Sequence, residues 1–145
     1  MIFLLAMAVG ILGCGKSDKP TDLPPLFPCT LTFTQEGHPL AEASFALRST
    51  DPAFKWGVGG RTDENGKGIV MTHGKYRGAP TGSYKVTVRK IAILEEKGEK
   101  TVEAYVVAPE LKDMETTTLE IEIVKGTNEK TFDVGNAVSI VLSGN

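Results

Sequence analysis

Ser83-Tyr84-Lys85-Val86-Thr87-Val88-Arg89-Lys90 is the stretch that decides the fold. Successive side chains of an extended chain point to opposite faces, so Tyr84, Val86 and Val88 line one face and Lys85, Thr87 and Arg89 the other. The same period of two recurs on both sides of it. Upstream, Leu31 and Phe33 alternate with threonines in Thr30–Thr34, and Ala43, Phe45 and Leu47 alternate with Ser44 and Ala46. Between them, Gln35-Glu36-Gly37-His38-Pro39 is turn chemistry, and the pair reads as a hairpin. Downstream, Leu119, Ile121 and Ile123 alternate with glutamates, and Thr131–Val134 and Val138–Leu142 close the chain.

The turns between these runs carry their own signals. Asp63-Glu64-Asn65-Gly66 is a tight turn before a returning strand at Gly68–Met71, and Gly78-Ala79-Pro80-Thr81-Gly82 is another. Residues 48–60 read as a loop with Phe54, Trp56 and three glycines. Glu95–Lys100 reads as a charged loop tip, and Pro109–Asp113 as one helical turn with proline at its start. Short strands with one apolar face each, separated by turns, predict an all-β antiparallel sandwich of two sheets and about seven strands.

The chain has 145 residues, 41% of them hydrophobic and 23% charged, with a formal net charge of -2. That suits a single globular domain. It lacks the basic excess that nucleic acid demands, and no run of lysine or arginine forms a polybasic stretch for lipid headgroups.

The N-terminus is of a different kind. Met1 to Gly13 is apolar and uncharged, ends in Ile11-Leu12-Gly13-Cys14, and is followed by the polar Gly15-Lys16-Ser17-Asp18. A bilayer-spanning helix needs roughly 20 apolar residues, so this run is short for a permanent span. It resembles a bacterial secretory signal ending in a lipobox, in which cleavage precedes the cysteine and the cysteine carries the lipid. The resemblance implies a signal peptide at 1–13 and a lipidated Cys14. Pro24, Pro25 and Pro28 make residues 14–28 an extended linker, ahead of a sandwich domain over 29–145. A buried N-terminal element is the alternative. Cys29, the second cysteine, reads as a small buried hydrophobe, and a Cys14–Cys29 disulfide is its rival. Gly15 after the cysteine resembles the signal for sorting to an outer membrane.

Three segments add a family resemblance. Gly37-His38-Pro39-Leu40-Ala41-Glu42-Ala43, Arg61-Thr62-Asp63-Glu64-Asn65-Gly66-Lys67-Gly68 and Gly78-Ala79-Pro80-Thr81-Gly82-Ser83-Tyr84-Lys85-Val86 resemble, in order, the turns of carboxypeptidase regulatory-like domains. Thr118–Asn128 resembles the ending of small planctomycete-type lipoproteins built on that domain. Glu42 stands where the family usually has glycine. The resemblance implies a prealbumin-like (transthyretin-like) sandwich with no catalytic residues to carry over.

The remaining chemistry is sparse. His38 and His73 are the two histidines, and their spacing indicates no converging ligands or acid–base partners. Asp63-Glu64-Asn65-Gly66 lacks the distal glutamate of a calcium loop. There is no Gly-x-Ser-x-Gly elbow, and Gly57–Gly60 opens no helix that could cradle phosphate. No metal or cofactor is expected. Phe54, Trp56, His73 and Tyr76 lie in loops flanking one expected hairpin and form the one candidate ligand site. The leading expectation is a non-catalytic, lipid-anchored interaction or structural module of the cell envelope, outside the cytoplasm. Its partners would be the membrane through Cys14, and an envelope protein or glycan. The alternatives are a carbohydrate- or small-ligand-binding protein using Trp56 and Tyr76, which predicts the two exposed side by side, and a hydroxyisourate-type hydrolase, whose Tyr-rich C-terminal motif is missing from Ser139–Asn145.

Overall fold

The computed structural model describes residues 19–98 and 100–142. The expected leader at Met1–Gly13 and Cys14 lie outside the described residues. The strands are β1 (Cys29–Gln35), β2 (His38–Pro39), β3 (Ser44–Ser49), β4 (Val58–Arg61), β5 (Lys67–Ile69), β6 (Met71–Thr72), β7 (Tyr76–Arg77), β8 (Gly82–Arg89), β9 (Ile91–Lys97), β10 (Lys100–Tyr105), β11 (Glu120–Ile123), β12 (Asn128–Asp133) and β13 (Ile140–Val141). A single 3₁₀ turn spans Pro109–Lys112.

The alternation in β8 does what its sequence dictates: Tyr84, Val86 and Val88 are each at most 2% exposed. β8 pairs with β3 from Ser44↔Arg89 to Ser49↔Tyr84, which sets Phe45 beside Val88 and Leu47 beside Val86. These strands are the centre of a six-stranded sheet ordered β11-β8-β3-β4-β6-β7. A second sheet is built on β1, with β12 on one side and β2 and β5 on the other. The two sheets share one core. Phe33 of β1 meets Phe45 at 5.2 Å between ring centroids and stacks on Phe132 of β12 at 5.6 Å. Burying each such side chain contributes about 1.5–3 kcal/mol, so the facing apolar rows dominate the stability. The body is thus the expected all-β sandwich.

Its details depart from expectation in five places. Thr30–Thr34 and Ala43–Leu47 do not form a hairpin. β1 turns at Glu36-Gly37 and pairs with only two residues of β2. The Leu40 amide then bonds to the Phe33 carbonyl, and the Thr62 hydroxyl bridges the Leu40 carbonyl (2.6 Å) and the Ala43 amide (2.9 Å). Pinned there, the chain crosses to the opposite sheet. A hairpin would have left both apolar rows on one face, whereas the crossing lets them bury each other. Second, β1 and β12 run parallel, from Cys29↔Asn128 to Thr34↔Asp133. Third, Gly59 and Gly60 are in β4, not in the loop: a Cβ on Gly60 would stand 2.7 Å from Cζ of Phe45, so the ring occupies the space a side chain would take. Gly68–Met71 is likewise split, with β5 in one sheet and β6 in the other around a fully buried Val70. Fourth, the strands number thirteen among the described residues, several only two residues long, in three sheets rather than two.

The third sheet, ordered β13-β10-β9, absorbs most of the expected charged tip at 95–100, leaving the reversal to Gly98 at φ 60°. Fifth, the expected linker is partly docked. Phe27 forms a two-bond antiparallel bridge with Ala79 (2.9 and 3.0 Å) and packs on the core.

Candidate functional site

The pairing register brings five segments to one end of the sandwich. The loop after β3 (residues 50–57) and the turn before β8 (78–81) lie there, because Ser49 is opposite Tyr84. The β6–β7 turn joins them through a hydrogen bond from the His73 amide to the Gly57 carbonyl at 2.6 Å. The turn after β11 follows from Ile123↔Gly82, and residues 19–28 from the Phe27–Ala79 bridge.

Each segment has a local reason for its shape. Asp51 organises the first loop: its amide bonds Ser49 Oγ, its carboxylate accepts the Ala53 amide at 2.9 Å, and its carbonyl accepts the Phe54 amide at 3.0 Å. That turn aims Phe54 inward, where its ring meets Tyr84 edge-on at 5.6 Å and 87°. Tyr84 in turn donates its hydroxyl to the Pro80 carbonyl at 2.8 Å. Burial pushes the Tyr84 phenol up to about 12. The β6–β7 reversal is a three-residue loop, His73–Lys75, in which His73 (59°) and Gly74 (66°) take positive φ and the Lys75 amide bonds to the Thr72 carbonyl at 3.2 Å. Gly78 is fixed by the docked segment: its φ is 99°, and a Cβ there would stand 2.6 Å from the Phe27 carbonyl oxygen.

The four aromatic candidates therefore separate. Phe54 is spent on packing against Tyr84. Tyr76 ends the row Leu47–Val58–Thr72–Tyr76 across four strands and is half-buried, with Lys75 Nζ 5.7 Å from its ring centre. Trp56 and His73 are brought together, with rings 6.0 Å apart at 75°. Lys55 Nζ lies 5.1 Å over the indole, within cation–π range, and pairs with the Asp22 carboxylate. The hydrogen bond from Lys55 holds the Asp22 carboxyl below its usual value. The ring contact made by Trp56 is thus with His73, and both Trp56 and Tyr76 are half-buried rather than fully displayed.

What linear reading missed at this end is its charge. Lys19, Lys55, Lys75 and Lys125 lie on the segments of this end together with Asp22, Asp51, Glu122 and Glu129, and Lys55 pairs with Asp22. The lysines are scattered over more than a hundred positions, so no run or period announces them. Val124, 51% exposed, sits beside Lys125.

Elsewhere, Cys29 is 2% exposed and burial pushes its thiol up to about 11, so it is a packed hydrophobe without thiolate character at neutral pH. His38 is exposed in β2, away from the Trp56 end. Among the described residues, no three His, Cys, Asp or Glu side chains gather as metal ligands. The Asp63 carboxylate is used on its own turn, accepting the Asn65 and Lys67 amides at 2.8 and 3.0 Å. An open groove of about 320 Å³ runs over the outer face of β3 and β8, between Arg48, Arg89, Tyr105 and Lys112.

No family model matches the chain, and no curated protein matches it. Among solved structures it is similar to part of a 9R-lipoxygenase from Cyanothece PCC8801, at 17% identity and a TM-score of 0.39. The match covers 81% of this chain, which spans 17% of that one.

Proposed function

We propose that the chain is a non-catalytic, lipid-anchored protein of the bacterial cell envelope, displaying a prealbumin-like, carboxypeptidase regulatory-like sandwich outside the cytoplasm. The observation that carries this reading is the apolar run ending in Ile11-Leu12-Gly13-Cys14. The state of the second cysteine supports it: Cys29 is sealed in the core with an unreactive thiol, which leaves Cys14 as the cysteine for acylation. The three segments that resemble the family fit the reading too. They fall on the turn and crossover after β1, the Asp63–Gly66 turn, and the turn into β8. Acyl chains contribute about 0.8 kcal/mol per buried CH₂, so two or more hold a protein stably at a bilayer.

The test is metabolic labelling with a fatty acid, comparing the wild type with Cys14→Ala. The wild type is expected to take up label and resist a high-salt wash of the membranes. Cys14→Ala is expected to lose the label and be released by that wash. An unlabelled wild type, or label retained after Cys14→Ala, overturns the reading.

A further inference from the structure

We propose that the outer face of the six-stranded sheet binds an anionic polysaccharide, gripping its carboxylate, phosphate or sulfate groups with arginine forks. The proposal deepens the envelope reading and rests on it only for where such a polymer is met. Three observations carry it.

The first is where the arginines are. The chain has four, Arg48, Arg61, Arg77 and Arg89, and all are exposed residues in strands of this one sheet. Their strand neighbours Leu47, Gly60, Tyr76 and Val88 take the inward positions, so alternation sends every arginine to the outer face. Ser44 is opposite Arg61 on one side and Arg89 on the other. Arg48 is opposite Lys85, and Arg77 ends the row Thr87–Ala46–Gly59–Met71–Arg77. The lysines, by contrast, are spread over both sheets and the turns. A guanidinium holds an oxyanion through two parallel bonds, which an ammonium does not do.

The second is that these forks are unspent. Among the described residues, none of the four arginines makes an ion pair or a side-chain hydrogen bond. Acids are near enough to be counted. The strands of the face carry the four arginines and Lys85 against Glu120 and Glu122, both on β11 at its margin, and the segment after β10 adds Lys112 and Asp113. The turns beyond the strand ends bring Glu42, Asp63, Glu64 and Lys90 at one end, and Asp51, Lys55 and Lys75 at the other. The cationic excess is modest. What distinguishes the face is four directional donors, fixed on paired strands, with no acceptor inside the protein.

The third is shape. Between Arg48 and Arg89 lies the groove of about 320 Å³. Ser44, Ala46 and Thr87 line its sheet side, and Tyr105, with Lys112 Nζ 5.1 Å from its ring centre, stands at its border. Small side chains let a broad ligand lie close, hydroxyls bond to sugar hydroxyls, and a tyrosine ring stacks on a sugar face. Arg77 and Arg89 are four strand spacings apart, about 19 Å, so a ligand that reaches both is a chain of several sugars. An acidic peptide would take an open sheet edge, where backbone groups are free, rather than this paired interior. Single-stranded nucleic acid would call for successive rings to stack on, and Tyr105 is the one aromatic lining the groove among the described residues.

Because every arginine is here, an arginine-selective reagent reports this face alone. The full lipidated chain, in neutral detergent micelles, is treated with phenylglyoxal in the presence of polygalacturonate, dextran sulfate or neutral dextran, and the modified residues are located by mass spectrometry. Both anionic polymers are expected to protect Arg48, Arg61 and Arg89, and neutral dextran to protect none. In direct binding, Arg48→Gln with Arg89→Gln should weaken the hold on polygalacturonate roughly tenfold or more, the worth of one hydrogen bond to a charged group. Arg48→Lys with Arg89→Lys should recover only part of that. Lys67→Gln with Lys125→Gln, an equal loss of charge on other surfaces, should leave binding essentially unchanged. Absence of protection by either polymer overturns the site. An equal loss from the lysine pair overturns it as well, by reducing the binding to unspecific charge. Polyglutamate or single-stranded DNA that protects the arginines better than the polysaccharides also overturns it, and assigns the face to an acidic protein or to nucleic acid. Protection in a chain that takes up no fatty-acid label supports the site and overturns only the anchor; label without protection does the reverse.

Discussion

The two ends of this sandwich are closed by different physics. At the Trp56 end, aromatic rings do the sealing: Phe27 and Phe54 are half-buried over Ala79 and Tyr84, and Lys55 and Lys75 lie against the Trp56 and Tyr76 rings. At the opposite end, polar groups do it. Thr62 bridges the Leu40 carbonyl and the Ala43 amide, and Asp63 ties its own turn. A hydrogen-bonded rim satisfies its groups internally and presents acids to water. An aromatic rim leaves half-covered rings at the surface, which is the kind of surface that finds a partner.

Substitutions can break the contrast. Tyr84→Ala removes the ring under Phe54 and the bond to Pro80, and should cost about 3–5 kcal/mol by denaturant unfolding. Thr62→Val keeps the shape and strands a buried amide and carbonyl, so about 2–3 kcal/mol is expected, with Thr62→Ser largely rescuing it. If Thr62→Val proves harmless, the far end is not held by its polar network.

Alkali should strike the buried acids. Cys29 and Tyr84 both have folded values raised by burial, to about 11 and about 12. Their neutral forms are favoured in the fold, so the stability they confer is complete below pH 9. It declines as the unfolded chain ionises first, from about pH 9 for Cys29 and about pH 10 for Tyr84, up to their folded values. A loss of about 2 kcal/mol from each is expected in urea titrations run between pH 8 and 12. Cys29→Ser should move the onset up, leaving the Tyr84 limb.

Smaller effects sharpen the comparison. Glu42 holds φ 55°, a left-handed conformation that costs a non-glycine residue about 1 kcal/mol, so Glu42→Gly should raise stability by that order. It is also the position where the family resemblance calls for glycine. Asp22→Ala should leave the melting temperature essentially unchanged, because its pair with Lys55 lies in solvent, with side chains 55% and 63% exposed.

The strands of the body were legible because their alternation is local. Tyr84, Val86 and Val88 declare one face whatever they pack against, and the Asp63–Gly66 turn declares itself through its own carboxylate and glycine. The partnering of strands was not legible in the same way. Whether Phe45 lies beside Phe33 in one sheet or across from it in another depends on Thr62, some twenty residues farther on. The parallel match of β1 with β12 depends on a strand a hundred residues away. The candidate site fared similarly. Trp56 and His73 were both singled out and do meet, while Phe54 was singled out for binding and is used for packing.

The sequence by itself determined an all-strand body, the burial of Cys29 and the leader-like character of Met1–Gly13, since each follows from side-chain type and spacing along the chain. Only the tertiary structure decided which loops share an end. It alone set His73 against the Trp56 ring and docked the N-terminal segment on Lys55 and Ala79. Charge and aromatic surface add up in space, over the reach of a screened field, and residues far apart in the chain carry no record of that sum.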